Sequence, residues 1–143
     1  MIQVIDEHHL RVGDRTWFGE FNSDHSVTAE EAAVLSERLG YEFAFERRQF
    51  IVRFESKWSV SVIWGSMTYS DNHDHGFGFP PYQAFIETPT LVEAGILHAD
   101  RERLQPDGDP YAYIDAEQLN ALLEMVSVLP TEAHIEWTGE WQR

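Results

Sequence analysis

Phe50-Ile51-Val52-Arg53-Phe54 and Trp58-Ser59-Val60-Ser61-Val62-Ile63-Trp64 flank the short polar break Glu55-Ser56-Lys57. Both runs are dominated by β-branched and aromatic residues, and the break has the length of a hairpin turn. The pair predicts two antiparallel strands. In the second run Trp58, Val60, Val62 and Trp64 share one face, with Ser59, Ser61 and Ile63 on the other. Side chains alternate along a strand, so one face of this hairpin is committed to a core.

Further strands are expected on both sides. Ile2-Gln3-Val4, Leu10-Arg11-Val12 and Trp17-Phe18-Gly19-Glu20-Phe21 read as short strands, with a turn near Gly13-Asp14 and another at His8-His9. Tyr41, Phe43 and Phe45 alternate with Glu42, Ala44 and Glu46. Tyr82 to Thr88 and Leu91 to Ala99 read as two more strands broken at Pro89, and Ala133 to Trp137 as a last one. The stretch Gln105 to Pro110 is a turn; its Asp107-Gly108-Asp109 lacks the spacing and terminal Glu of a calcium loop.

Two helices carry explicit boundary signals. Thr28 followed by Glu31 forms a capping box, Ala32, Leu35 and Leu39 fall on one face, and Gly40 stands where a helix-ending glycine belongs. Asp115 and Gln118 form a second box, followed by the stripe Leu119, Leu122, Leu123, Val126, Leu129 and then Pro130. The order of elements predicts an α+β fold, an antiparallel β-sheet with two amphipathic helices packed on it. At 143 residues, 43% of them hydrophobic, residues 1–143 are expected to form a single globular domain.

Composition narrows the function. There are 25 acidic and 10 basic residues, a net charge of -15. Residues 1–57 carry 11 acidic and 7 basic residues; residues 58–143 carry 14 and 3, and no Lys or Arg occurs from Trp58 through Asp100. Binding a phosphate backbone needs clustered cations, so direct nucleic-acid and anionic-membrane partners are not expected. There is no cysteine, which excludes disulfides, Cys-based zinc sites and thiol catalysis. No signal peptide or membrane-length apolar run is visible, and the expectation is a cytoplasmic protein.

The segment Gly65 to Pro81 is the candidate site. It is long and Gly/Pro-rich, carries no Lys or Arg, and includes Met67, Tyr69, Asp71, His73, Asp74, His75, Phe77 and Phe79. Loops of this length without their own structure are usually functional or disordered. Tyr69, Phe77, Phe79 and Tyr82, with Asp71 and Asp74, are the candidate binding residues for a protein partner. His73 and His75 are the candidate metal ligands. A metal site would need a further source such as His8, His9, His25 or His98, and no H-E-x-x-H motif is present. Neither a phosphate-binding glycine loop nor a nucleophile elbow occurs, so no catalytic residue and no cofactor is expected.

Four pieces of the chain also resemble a known family. They are Val60-Ser61-Val62-Ile63-Trp64-Gly65, Thr68-Tyr69-Ser70, Leu91-Val92-Glu93-Ala94-Gly95-Ile96 and Tyr113-Ile114-Asp115-Ala116-Glu117-Gln118. From Phe50 to Leu129 the chain is similar to short uncharacterised proteins of bacteriophages and prophages, especially of actinobacteria. The family has no established activity, so no residue role carries over. The resemblance implies a small phage accessory protein, more often a binder than an enzyme. The expected function is therefore protein–protein binding through an acidic surface and an aromatic loop, as an inhibitor or DNA mimic acting on a basic or DNA-binding host protein. The alternatives are a metal-binding module or metal-dependent hydrolase using His73 and His75, and a self-assembling structural component. Oligomeric state stays open.

Overall fold

The computed structural model describes residues 1–22, 28–40, 46–66, 68–71, 73, 85–99 and 111–133. The fold is α+β; the described residues form two helices and eight strands, all their strand pairs being antiparallel. The strands divide between two sheets. The first holds β1 (Ile2–Asp6), β2 (His9–Val12) and β3 (Arg15–Phe18) in sequence order. The second holds β4 (Glu20–Asn22), β5 (Arg47–Arg53), β6 (Trp58–Gly65), β7 (Val92–His98) and β8 (Tyr111–Ile114), also in sequence order.

The expected hairpin is the centre of the larger sheet. Phe50 pairs with Val62 and Val52 with Val60; on the other side of β6, Val60 pairs with Ile96 and Val62 with Ala94. All six side chains are buried on one face, with Trp58 and Trp64 at its ends. α2 (Ala116–Ser127) covers that face, packing on β6 and on β2. It contributes Leu119, Leu122, Leu123 and Val126, and the first sheet adds Ile2, Leu10 and Val12 to the same core. Leu129, beyond the helix, is half-buried. The capping box is complete: the Gln118 backbone N–H donates to Asp115 at 2.8 Å, and the Asp115 N–H donates to the Gln118 side chain at 2.9 Å. Two orphan donors of the first turn are thereby satisfied.

The first helix forms where its signals place it but plays a different part. α1 (Ala29–Leu39) begins with the Glu31 N–H donating to the Thr28 hydroxyl at 3.1 Å and ends at Gly40 in the left-handed region, φ 76°. Ala32 and Leu35 are only half-buried, and Leu39 and Val34 are exposed. None of the described side chains of α1 enters the core, which is closed by α2 and the two sheets.

Other expectations divide by region. The turn expected at His8-His9 lies at Glu7-His8, and His9 opens β2. Residues 85–88 form no strand, and Ala133 lies outside any strand. Tyr111–Ile114, over which no strand is expected, forms β8 at the end of the larger sheet. The strand expected over 41–45, the turn over 105–110, and residues 82–84 and 134–137 lie outside the described residues. Among the described residues, no helix is long and apolar enough to cross a membrane.

Candidate functional site

The site is built from the end of β6 outward. Gly65 has φ 112°, and a Cβ there would lie 2.2 Å from the Glu46 carbonyl oxygen. Only glycine lets the two chains pass this closely. Ser66 is then fixed on both sides: its N–H donates to the Glu46 carbonyl at 2.8 Å, and its own carbonyl accepts from Arg47 Nε at 2.7 Å. The Glu46 N–H completes the clasp by donating to the Ser66 hydroxyl at 3.1 Å.

Buried hydroxyls carry the chain onward. Thr68 donates its hydroxyl to the Gly65 carbonyl at 2.8 Å and lies 2.8 Å from the Ser70 hydroxyl. A hydroxyl has one proton, so Ser70 is the donor in the second contact. Ser66, Thr68 and Ser70 are all buried. The described part of the segment is thus anchored by polar groups satisfied inside the protein.

This anchor presents an aromatic platform. The Tyr69 and His73 rings are stacked, 6.1 Å between centroids and 4° between planes, and Tyr113 leans on Tyr69 at 6.1 Å and 55°. Tyr69 is 45% exposed and Tyr113 47%. The Tyr113 N–H donates to the Tyr69 carbonyl at 2.9 Å, and the Tyr69 N–H donates to the Glu93 carboxylate at 3.0 Å. Tyr113 sits at φ 51°, a left-handed conformation that a bulky residue seldom adopts. Such strain is held in place by its surroundings and clusters at functional sites. The Nδ1 of His73 lies 2.7 Å from the Thr68 carbonyl. A carbonyl only accepts, so Nδ1 carries the proton and the lone pair of the neutral ring is on Nε2.

No protein-family model matches the chain, nor does any curated protein or solved structure. The residues themselves must therefore carry the functional reading. Of the candidate binding residues, Tyr69 is on the platform. Asp71 instead ties the loop to the entry of β7, accepting from the Thr90 N–H at 3.0 Å and the Thr90 hydroxyl at 2.8 Å. Asp74, His75, Phe77, Phe79 and Tyr82 lie outside the described residues, as do Met67 and His25.

Among the described residues, none of the further ligands considered (His8, His9 and His98) is brought to His73. His98 pairs with Trp58 at the opposite end of β7 from Glu93, roughly 17 Å away at about 3.4 Å per residue. His8 and His9 flank the Phe18 ring beside the β1–β2 turn. Among the described residues no group of three His, Cys, Asp or Glu side chains could hold a metal ion.

Tyr113 and Glu93 were not legible as site residues. They come from β8 and β7, 44 and 24 positions from Tyr69. Only strand pairing places them beside it, and no local motif marks either one.

Proposed function

We propose that this is a non-enzymatic accessory protein of the phage type that binds a protein partner through the Tyr69–His73–Tyr113 platform. The observation that carries the reading is the platform itself: two exposed tyrosines, one stacked on the half-buried His73 ring, held by a strained backbone and a buried hydroxyl anchor. Rigid aromatic side chains lose little entropy on binding and are favoured at interface centres. The surroundings favour a basic partner. Glu93 places a carboxylate beside Tyr69, while Arg47, the cation met at the anchor, is engaged by the Ser66 carbonyl. An Arg or Lys of the partner would lie over the Tyr69 or Tyr113 ring beside the Glu93 carboxylate. A DNA-binding protein fits this description, and a net charge of -15 would let the chain compete for its groove.

The test is capture from an actinobacterial lysate on the immobilised protein, compared with the Tyr69→Ala/Tyr113→Ala variant. The expected partner is held at about 0.1 M salt by the native chain, released near 1 M, where screening reaches about 3 Å, and lost by the variant. The same proteins retained by both chains would end the proposal.

The metal reading keeps one supporting observation. Metal-bound imidazoles commonly donate their second nitrogen to a carbonyl, as His73 Nδ1 does to Thr68. Elemental analysis of untagged protein, with zinc-dependent melting as a second readout, tests it; no bound metal and no rise in Tm would exclude it.

A further inference from the structure

We infer that the end of the larger sheet remote from the aromatic platform carries a pocket for a small organic anion, a carboxylate or phosphate on a flat apolar body. A cavity of about 400 Å³ opens where the β5–β6 turn meets the C-terminal end of β7. That volume lies within the roughly 300–1,000 Å³ typical of small-molecule sites. Among the described residues, its lining includes Arg53, Lys57, Trp58, Ser59, Leu97 and His98.

The strand register explains why these residues meet. Arg53, Ser59 and Leu97 lie side by side across β5, β6 and β7 on one face, while Trp58 and His98 pair on the other. The cavity therefore wraps around the end of the sheet. Its floor is buried, with Trp58 at 0%, His98 at 6% and Ser59 at 7% exposure, while Arg53 and Lys57 stand exposed at its rim. The floor is also rigid. Trp58 Nε1 donates to the Pro130 carbonyl at 2.8 Å, His98 Nε2 donates to the Thr131 carbonyl at 2.8 Å, and the two rings meet edge to face at 4.8 Å. A pre-formed floor lowers the ordering cost of binding.

Charge selects the ligand class. In a chain of net charge -15 with ten Lys and Arg in all, two cations converge on one cavity. Lys57 does so from a strained backbone, φ 74°, pinned by its N–H donating to the Phe54 carbonyl at 3.2 Å and its carbonyl accepting from Ala99 at 3.0 Å. Glycine would hold that conformation without strain, so the lysine side chain is kept against a backbone preference. Arg53 meets Glu20 at 3.4 Å, but both side chains are more than half exposed. Such a pair is weak and exchanges readily for another carboxylate. Leu97, partly exposed, supplies the apolar wall for the ligand's body, and Trp58 lies wholly beneath the surface of the floor.

The experiment is an NMR titration of the full chain with three probes: benzoate, phenyl phosphate and, as the neutral control, benzyl alcohol. Saturable shifts are expected with one or both anions at the Lys57, Ser59 and Ala99 amides and the Trp58 indole, with benzyl alcohol far weaker. Which anion binds more tightly distinguishes a carboxylate site from a phosphate site. Lys57→Gly relieves the strained backbone and so keeps the fold, and Arg53→Gln leaves the sheet register intact. Each is expected to weaken the anion by about tenfold, the loss of one charge-assisted contact. Absence of shifts with both anions, equal binding of benzyl alcohol, or unchanged affinity in both variants would overturn the assignment.

Discussion

The indole nitrogen of Trp17 donates to the side-chain oxygen of Asn120 at 2.8 Å, across 103 residues of sequence. The other end of the same amide donates to the Val12 carbonyl at 2.8 Å. One side chain of α2 thus fastens both β2 and β3, and so holds the smaller sheet to the helix that covers the larger one. Replacing Asn120 by Leu keeps the bulk and removes both bonds, leaving a donor and an acceptor without their partner. A loss of about 2 kcal/mol is expected, read as a lower urea midpoint at unchanged slope. The neighbouring Arg15–Glu124 pair, 3.1 Å apart but exposed on both sides, makes the control. Glu124→Gln should cost less than about 1 kcal/mol. Equal effects from the two substitutions would show that the sheet is held by apolar contact alone.

Gly65 makes a sharper demand. A Cβ would meet not only the Glu46 carbonyl oxygen at 2.2 Å but also Arg47 Cα at 2.9 Å, both backbone atoms, at a residue with φ 112°. Gly65→Ala is expected to destabilise the chain by well over about 1 kcal/mol and to displace Ser66, the first residue of the anchored segment. Gly40→Ala has the same kind of positive φ, 76°, but nothing within 4 Å of the added carbon. Its cost should stay near about 1 kcal/mol. Thermal unfolding of the two variants side by side checks the difference; a Gly65→Ala Tm no lower than that of Gly40→Ala would contradict the close passage.

These positions mark what could be read from the sequence. The hairpin was legible because Trp58, Val60, Val62 and Trp64 alternate without a break and are all buried. α2 was legible because its cap and stripe agree. β8 was not, because its burial runs buried, exposed, exposed, buried over Tyr111–Ile114, and its pairing with β7 is irregular. A strand that breaks the period of two, with Tyr113 at positive φ, leaves no alternation to detect. The platform was half legible for the same reason: Tyr69 and His73 stand in a conspicuous loop, whereas Tyr113 reaches them only through that irregular edge. α1 shows the converse, since local signals place a helix but not what it packs against.

The stripe of α2 yields a paired expectation. Leu122 is fully buried, whereas Met125, three residues on, is 42% exposed. Leu122→Ala is expected to cost about 2–5 kcal/mol through lost burial and the cavity left behind. Met125→Ala should stay within about 0.5 kcal/mol. Denaturant unfolding of both variants gives the comparison, and a small effect at Leu122 would mean that α2 does not close the core.

Tyr111 gives the expectation at alkaline pH. Its ring is buried against the core, and burial raises its hydroxyl pKa above the ordinary value. The neutral form is therefore favoured in the folded chain. Between the unfolded pKa, about 10, and the higher folded one, the folded state holds more protons than the unfolded state. Stability conferred by the neutral ring is complete below about pH 10 and is lost as pH rises toward the folded pKa. Tyr111→Phe cannot ionise, so its stability should fall less steeply above about pH 10 than that of the native chain. Stability measured from neutral to alkaline pH in both chains isolates this residue from the other tyrosines and the lysine, and parallel alkaline limbs would show that Tyr111 ionises as easily folded as unfolded.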